Sequence, residues 1–332
     1  MTIYLMPCGR STLDGLRDGK GQPADVTARR VARLPDLVEG NVAVQMKGKQ
    51  DDQLARTWRE VFVDDNGNSV PERLHLPEWH ARVCAETSTL AAGVDGVKPD
   101  QPTLVPDGDT VVLLASDTPD GLASALLAAA RISGGTIGAL RYAETPEKGQ
   151  RGFYPLERNT VTVVRVRGLD PDTDDHFHRA VWGIGDVMRA ACEADLPGDI
   201  EVHLTGGVKA VLLHTLALAE VLCSRERVQP ARPGLGQRTV TARYLFEDAA
   251  KNERWGERIT TIGLRVFDKK TLEEMQESLN DIRTRGRAQG VPFQGAAWEY
   301  DGETAKLTAF GYGYLAVLGE LGQSGSDDHS DS

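Results

Sequence analysis

The stretch Ile200-Glu201-Val202-His203-Leu204-Thr205-Gly206-Gly207-Val208-Lys209-Ala210, continuing without a break into an apolar segment over 211–222, decides how this chain folds. It reads as a β-strand, a tight glycine turn carrying Thr and Lys, and a nearly all-apolar helix. Two adjacent glycines let the backbone approach a ligand with no Cβ in the way. The helix start behind them leaves N–H groups unpaired and carries positive partial charge, which suits a phosphate. The turn is neither a Walker A loop nor a G-x-G-x-x-G fingerprint, so ATP hydrolysis and ordinary dinucleotide binding lose support. Taken alone, Thr-Gly-Gly is equally a helix entry where glycine permits a turn. Its place after an apolar strand favours a ligand, as does Lys209, a cation that opposes the helix dipole unless something anionic is near.

Outward from this turn the same unit recurs. A strand over 2–6 ends in the small-residue loop Pro7-Cys8-Gly9-Arg10-Ser11-Thr12. A continuous apolar run over 110–115 predicts a strand covered on both faces. It ends in Ser116-Asp117-Thr118-Pro119-Asp120-Gly121, with a helix over 122–132. A third strand over 160–166 leads through an acidic turn, 170–175, into a helix over 176–194, and 199–204 is the fourth. Between the first two strands, 25–34, 52–62 and 77–92 are helix candidates. The segments 239–246 and 258–267 alternate more and read as a hairpin or edge strands. The pattern predicts an α/β fold, a mostly parallel sheet with helices on both faces, whose ligands sit beyond the carboxyl ends of the strands.

After residue 268 the character changes. Leu272, Met275, Leu279 and Ile282 are spaced for an amphipathic helix over 270–286. Asp301-Gly302 is a hairpin turn signal between 297–300 and 304–308, and 309–321 reads as a closing helix. These boundaries divide the chain into a ligand-sensing domain over 1–267, a small C-terminal α+β helix–hairpin–helix module over 268–321, and a disordered tail over 322–332.

The bulk numbers bound the function. The 332 residues, 40% of them hydrophobic, suffice for one large or two ordinary domains. A net charge of −11 argues against a protein that coats duplex DNA, but leaves room for one anion in a locally positive pocket. Cys8, Cys84, Cys192 and Cys223 are too dispersed for structural zinc and read as buried reduced thiols. No run of 18 apolar residues and no signal-peptide order is present, so a cytoplasmic chain without a membrane span is expected. No metal or cofactor is expected.

The turn Leu204-Thr205-Gly206-Gly207-Val208-Lys209-Ala210 resembles the Thr-Gly-Gly-(aromatic or Thr)-Lys-Ala motif of CARF (CRISPR-associated Rossmann fold) domains. Cys8-Gly9-Arg10-Ser11-Thr12 is similar to their Gly-Thr-Ser loop, with Arg10 interrupting the order. Cys84-Ala85-Glu86-Thr87-Ser88-Thr89-Leu90 resembles their Ser-Ala-Glu-x-x-Ser-Leu segment, and Leu113-Leu114-Ala115-Ser116-Asp117-Thr118 their second-strand end. The likeness covers roughly residues 1–265. It implies a Rossmann-like sheet and a homodimer whose two-fold axis passes through a pocket for a cyclic oligoadenylate, the messenger of type III CRISPR antiviral defence. Thr205, Gly206 and Gly207 would then contact phosphate or ribose, and Lys209 would neutralise charge. Gly9, Arg10, Ser11, Thr12, Ser116, Asp117 and Thr118 would contribute from the neighbouring strand ends.

Two classes of function follow from the resemblance. One is a cyclic-oligoadenylate sensor acting through its C-terminal segment or a separate effector protein. The other is a metal-independent ring nuclease that cuts the messenger, with Lys209 and Ser11 the candidates for its chemistry. A ligand-responsive transcription regulator is a third reading, because the helix–hairpin–helix resembles part of a winged helix and carries Arg283, Arg285 and Arg287. Over 265–322, however, seven Lys/Arg face nine Asp/Glu, which favours dimerisation or partner docking over DNA reading. His176 and His178 read as a solvated helix start, His203 and His214 as core histidines, and Trp182, Gly183 and Gly185 as helix packing.

Overall fold

A computed structural model describes residues 1–10, 12–13, 85–93, 101, 103–134, 136–146, 150–170, 177–207, 209–231, 236–245, 259–288 and 294–319. The helix candidates at 25–34 and 52–62, the acidic turn at 171–175, Ser11, Cys84, His176, Val208 and the tail at 322–332 lie outside the described residues.

Strands β1 (Thr2–Pro7), β2 (Thr110–Ala115), β3 (Leu140–Glu144), β4 (Thr160–Arg165), β5 (Asp199–His203), β6 (Val240–Leu245) and β7 (Ile259–Ile262) form one seven-stranded sheet. Its order is β3-β4-β2-β1-β5-β6-β7. All neighbours are parallel except β6 and β7, so the fold is α/β with a Rossmann-like, mostly parallel sheet. Strand order reverses at β1: the chain first builds outward through β2, then returns to β1's other side with β5.

The strand at 199–204 is the fifth, because β3 was not expected from the sequence. Leu140-Arg141-Tyr142-Ala143-Glu144 is a five-residue edge strand, half-exposed along its polar positions. It therefore lacks the apolar run by which the central strands announce themselves. The two alternating segments also resolve: β6 continues the parallel sheet, and β7 closes its edge antiparallel to β6.

Alternate residues of the buried strands feed two cores. Ile3, Leu5, Val112, Leu114, Val164, Ile200 and Val202 face one way. On them lie helices α3 (Phe177–Glu193) and α4 (Lys209–Val228). Tyr4, Met6, Val111, Leu113, Val161 and Val163 face the other way, under helix α2 (Pro119–Ile132) and Leu90 of α1 (Ala85–Gly93). Thr118 caps α2, accepting from Gly121 N at 3.1 Å, with Pro119 at the first helical position.

Helix α5 (Lys269–Arg285), the hairpin β8 (Trp298–Asp301) and β9 (Thr304–Leu307), and helix α6 (Ala309–Leu318) follow. Their apolar residues, among them Met275, Leu279, Trp298 and Leu315, belong to the same core as α3 and α4. Helix α6 lies directly on α3 because both carry glycine at the crossing. A Cβ at Gly185 would meet Gly313 O at 2.7 Å, and one at Gly313 would meet Val181 Cγ1 at 2.6 Å. Burying one large aliphatic side chain contributes about 1.5–3 kcal/mol, and α6 buries Leu315, Val317 and Leu318. That sum is comparable to the net stability of a whole domain, about 5–15 kcal/mol, so α6 is integral to the fold. Cys8, Cys192 and Cys223 are buried and form no disulfide among the described residues.

Candidate functional site

The site is built where β1 and β5 end side by side. Cys8 N donates to Leu114 O at 2.9 Å, and Leu204 N to Arg243 O at 2.8 Å, so both loops leave from fixed strand ends. They then run against each other. A Cβ at Gly9 would meet Gly207 N at 3.2 Å, and one at Gly206 would meet Pro7 O at 2.6 Å. Gly207 has φ +95°, a conformation that side chains disfavour, and Pro7 Cβ lies 2.8 Å from where its own Cβ would be. The glycines at 9, 206 and 207 are thus required by loop-against-loop contact, whatever else they do.

A buried carboxylate sits in the same place. Glu86, in the first turn of α1, is 1% exposed and accepts from Gly9 N at 3.1 Å through Oε1. A side chain at Gly206 would strike that same oxygen. Glu86 therefore takes one N–H that a phosphate would otherwise claim. The positive groups lie on the solvent side: Arg10, which pairs with Asp120 at 2.9 Å, and Lys209, exposed at the start of the 20-residue helix α4. Lys209 has no ion-pair partner among the described residues.

The remaining sequence-predicted residues are held by their neighbours. Thr205 Oγ1 accepts from Leu245 N at 2.9 Å, which leaves its own proton to donate. Ser116 and Thr118 hydroxyls meet at 2.9 Å, and Thr118 is spent on the α2 cap. Asp117 accepts from Arg165 Nε at 2.7 Å and from Gly168 N at 2.8 Å, which ties the β2 loop to the end of β4. Thr12 is fully buried, its Oγ1 without a hydrogen-bond partner among the described residues. The structure thus brings Gly9, Gly206 and Gly207 into contact and joins Arg10 to the start of α2. It assigns Ser116, Asp117 and Thr118 first to loop architecture.

Sequence reasoning missed the partner of the turn. Glu86 was visible only as one letter of a motif, and no spacing announces that it meets Gly9, 77 positions away. It also missed the polar cluster under β5 and β6. His203 is 1% exposed, its Nε2 lies 2.6 Å from Glu201 Oε1, and Arg243 reaches the same oxygen at 3.1 Å. Tyr4 packs edge-on against His203 and donates to Asp109 Oδ2 at 3.1 Å; burial, with Asp109 beside it, pushes its phenol far above the usual range. His214 stacks on Phe310, ring centres 4.0 Å apart, which makes it a packing residue. Among the described residues no group of three or more His, Cys, Asp or Glu is placed to hold a metal ion, and no helix is long and apolar enough to cross a membrane. No protein-family model matches the chain, and no curated protein matches it.

Proposed function

We propose that this chain is a cyclic-oligoadenylate sensor of the CARF type, binding its ligand across a homodimer at the carboxyl edge of the sheet. The observation that carries this reading is the meeting of the β1 and β5 loops where strand order reverses, with Lys209 exposed on the first turn of α4. Crevices at such reversals are where open α/β sheets bind ligands. Gly207, Lys209, Arg10 and the Thr205 hydroxyl form the ligand-facing set, and Glu86 holds the turn from behind.

A two-fold axis close to Lys209 suits a symmetric, polyanionic ring, because one turn from each protomer faces a phosphate. Leu213, one turn along α4, is 68% exposed and would be covered by a second copy. Helix α4 also packs on α5 and α6, which gives the ligand a mechanical route to the C-terminal helix–hairpin–helix. In this reading that segment is an output surface for a partner protein, and its winged-helix-like order does not make it a DNA reader.

Calorimetry with cyclic tetra- and hexa-adenylate, followed by chromatography of the recovered ligand, tests the proposal. Saturable binding with the ring intact supports a sensor. Linear products that disappear in Lys209→Ala replace the sensor by a ring nuclease. No binding to either ring overturns the family reading.

A further inference from the structure

A second anion site lies in the helical layer and uses no residue of the carboxyl edge. Between α3, α5, the end of α6 and the segment 150–151 is a cavity of about 180 Å³. Three arginines line it: Arg151 and Arg283, both exposed, and Arg189, which is 7% exposed. Trp182, 8% exposed, also lines it, and Gln150 and Asn280 complete the polar wall. The buried Trp182 Nε1 and Arg189 Nε have no hydrogen-bond partner among the described residues. Neither Arg151 nor Arg283 has an ion-pair partner among the described residues.

No acid lines the cavity among the described residues, and Asp186, one turn before Arg189 on α3, is already committed. Asp186 Oδ1 accepts from Arg189 Nη2, and its Oδ2 accepts from Gly152 N and Tyr154 Oη, each at 2.8 Å. Every unmet group of Arg151, Trp182, Arg189 and Arg283 is therefore a donor, and none of these side chains has an acceptor to offer. Two buried donors left unpaired are costly, and three guanidinium groups in so small a space repel one another. An occupant rich in acceptors and negative charge relieves both.

From this geometry we infer that the cavity binds the phosphate group of a free phosphate or a phosphomonoester. The planar forks of arginine match phosphate oxygens, and the indole N–H supplies one more donor. The volume is below the ~300–1,000 Å³ of pockets that take whole small molecules, so it holds the phosphate and not a nucleoside. Arg283 also lines an adjoining open groove of about 570 Å³ with His178 and Tyr312. The other cations of that groove, Arg285 and Lys306, are paired with Asp281 and Asp301. Phosphate therefore belongs in the arginine cavity, and the body of a phosphomonoester in the groove.

The test follows the indole N–H resonance of Trp182 by ¹H–¹⁵N NMR, assigned with Trp182→Phe. Sodium phosphate, adenosine 5′-monophosphate and sodium succinate are titrated at constant ionic strength, with chloride as the control. The expected result is a saturable shift that weakens at least ~10-fold in Arg283→Gln and again in Arg151→Gln, since each removes a charge-assisted contact. Both positions are exposed, so these variants keep the fold, which circular dichroism checks. Adenosine monophosphate binding ~10-fold tighter than phosphate identifies a phosphomonoester; equal binding identifies free phosphate. A shift reproduced by chloride, unchanged in both arginine variants, or stronger with succinate than with phosphate overturns the assignment.

Discussion

The glycine edge and the arginine cavity both favour anions, but they do so in opposite ways. At the edge, polar groups are largely spent within the fold: Gly9 N donates to Glu86, Thr118 accepts in its helix cap, and Asp117 accepts from Arg165 and Gly168. Lys209 and Arg10 provide the charge at its rim. At the cavity, three arginines gather and two buried donors have no partner among the described residues. A sequence motif can thus mark where loops must touch, while a site built of unmet donors leaves no local signature.

The largest expected effect separates the two regions by stability. Asp186→Ala removes the acceptor for Arg189, Gly152 and Tyr154 and strands a buried guanidinium. It should cost about 3–5 kcal/mol in urea unfolding. If the cavity takes phosphate, millimolar phosphate should restore part of that loss through mass action, and chloride should not. Next comes Lys209→Ala, expected to weaken cyclic-oligoadenylate binding roughly 100-fold in calorimetry, because each protomer loses a charge-assisted contact. The Trp182 response to phosphate should be unchanged in that variant, and a linked loss would mean the regions are one site.

Gly206→Ala ranks third. Its new Cβ meets backbone, Pro7 O at 2.6 Å, which cannot swing aside. Unfolding of the unliganded protein should be easier by about 1–3 kcal/mol, the usual cost of overpacking. Full stability together with lost ligand affinity would instead make Gly206 a ligand contact alone. The smallest effect is expected for Thr118→Ala, about 1 kcal/mol for a lost helix cap with ligand affinity retained. A pronounced affinity loss there would return the β2 loop to the binding surface.

Legibility in the sequence followed covalent locality. The continuous apolar run at Thr110–Ala115 announced a central strand because burial on both faces leaves no alternation. Leu140–Glu144 escaped because an edge strand keeps polar residues on its open side. The Thr-Gly-Gly turn was legible as a close approach, but the approaching partner was not: Pro7 and Glu86 come from distant segments. The arginine cavity was invisible for the same reason, since positions 151, 182, 189 and 283 meet only after three helices pack. Gly185 was correctly read as helix packing, although nothing local named Gly313 as its counterpart.

That crossing of α3 and α6 has a consequence for biosynthesis. Helix α6 covers Val181 and Leu218 and supplies Leu315, Val317 and Leu318 to a core whose other members are translated earlier. While the ribosome is still adding residue 308, a glycine-floored apolar slot on α3 stands open to solvent. Closure waits for the ten residues Ala309–Leu318 to emerge together. A nascent chain stalled there carries an exposed groove shaped for one helix, which makes it a natural client for chaperones until α6 docks.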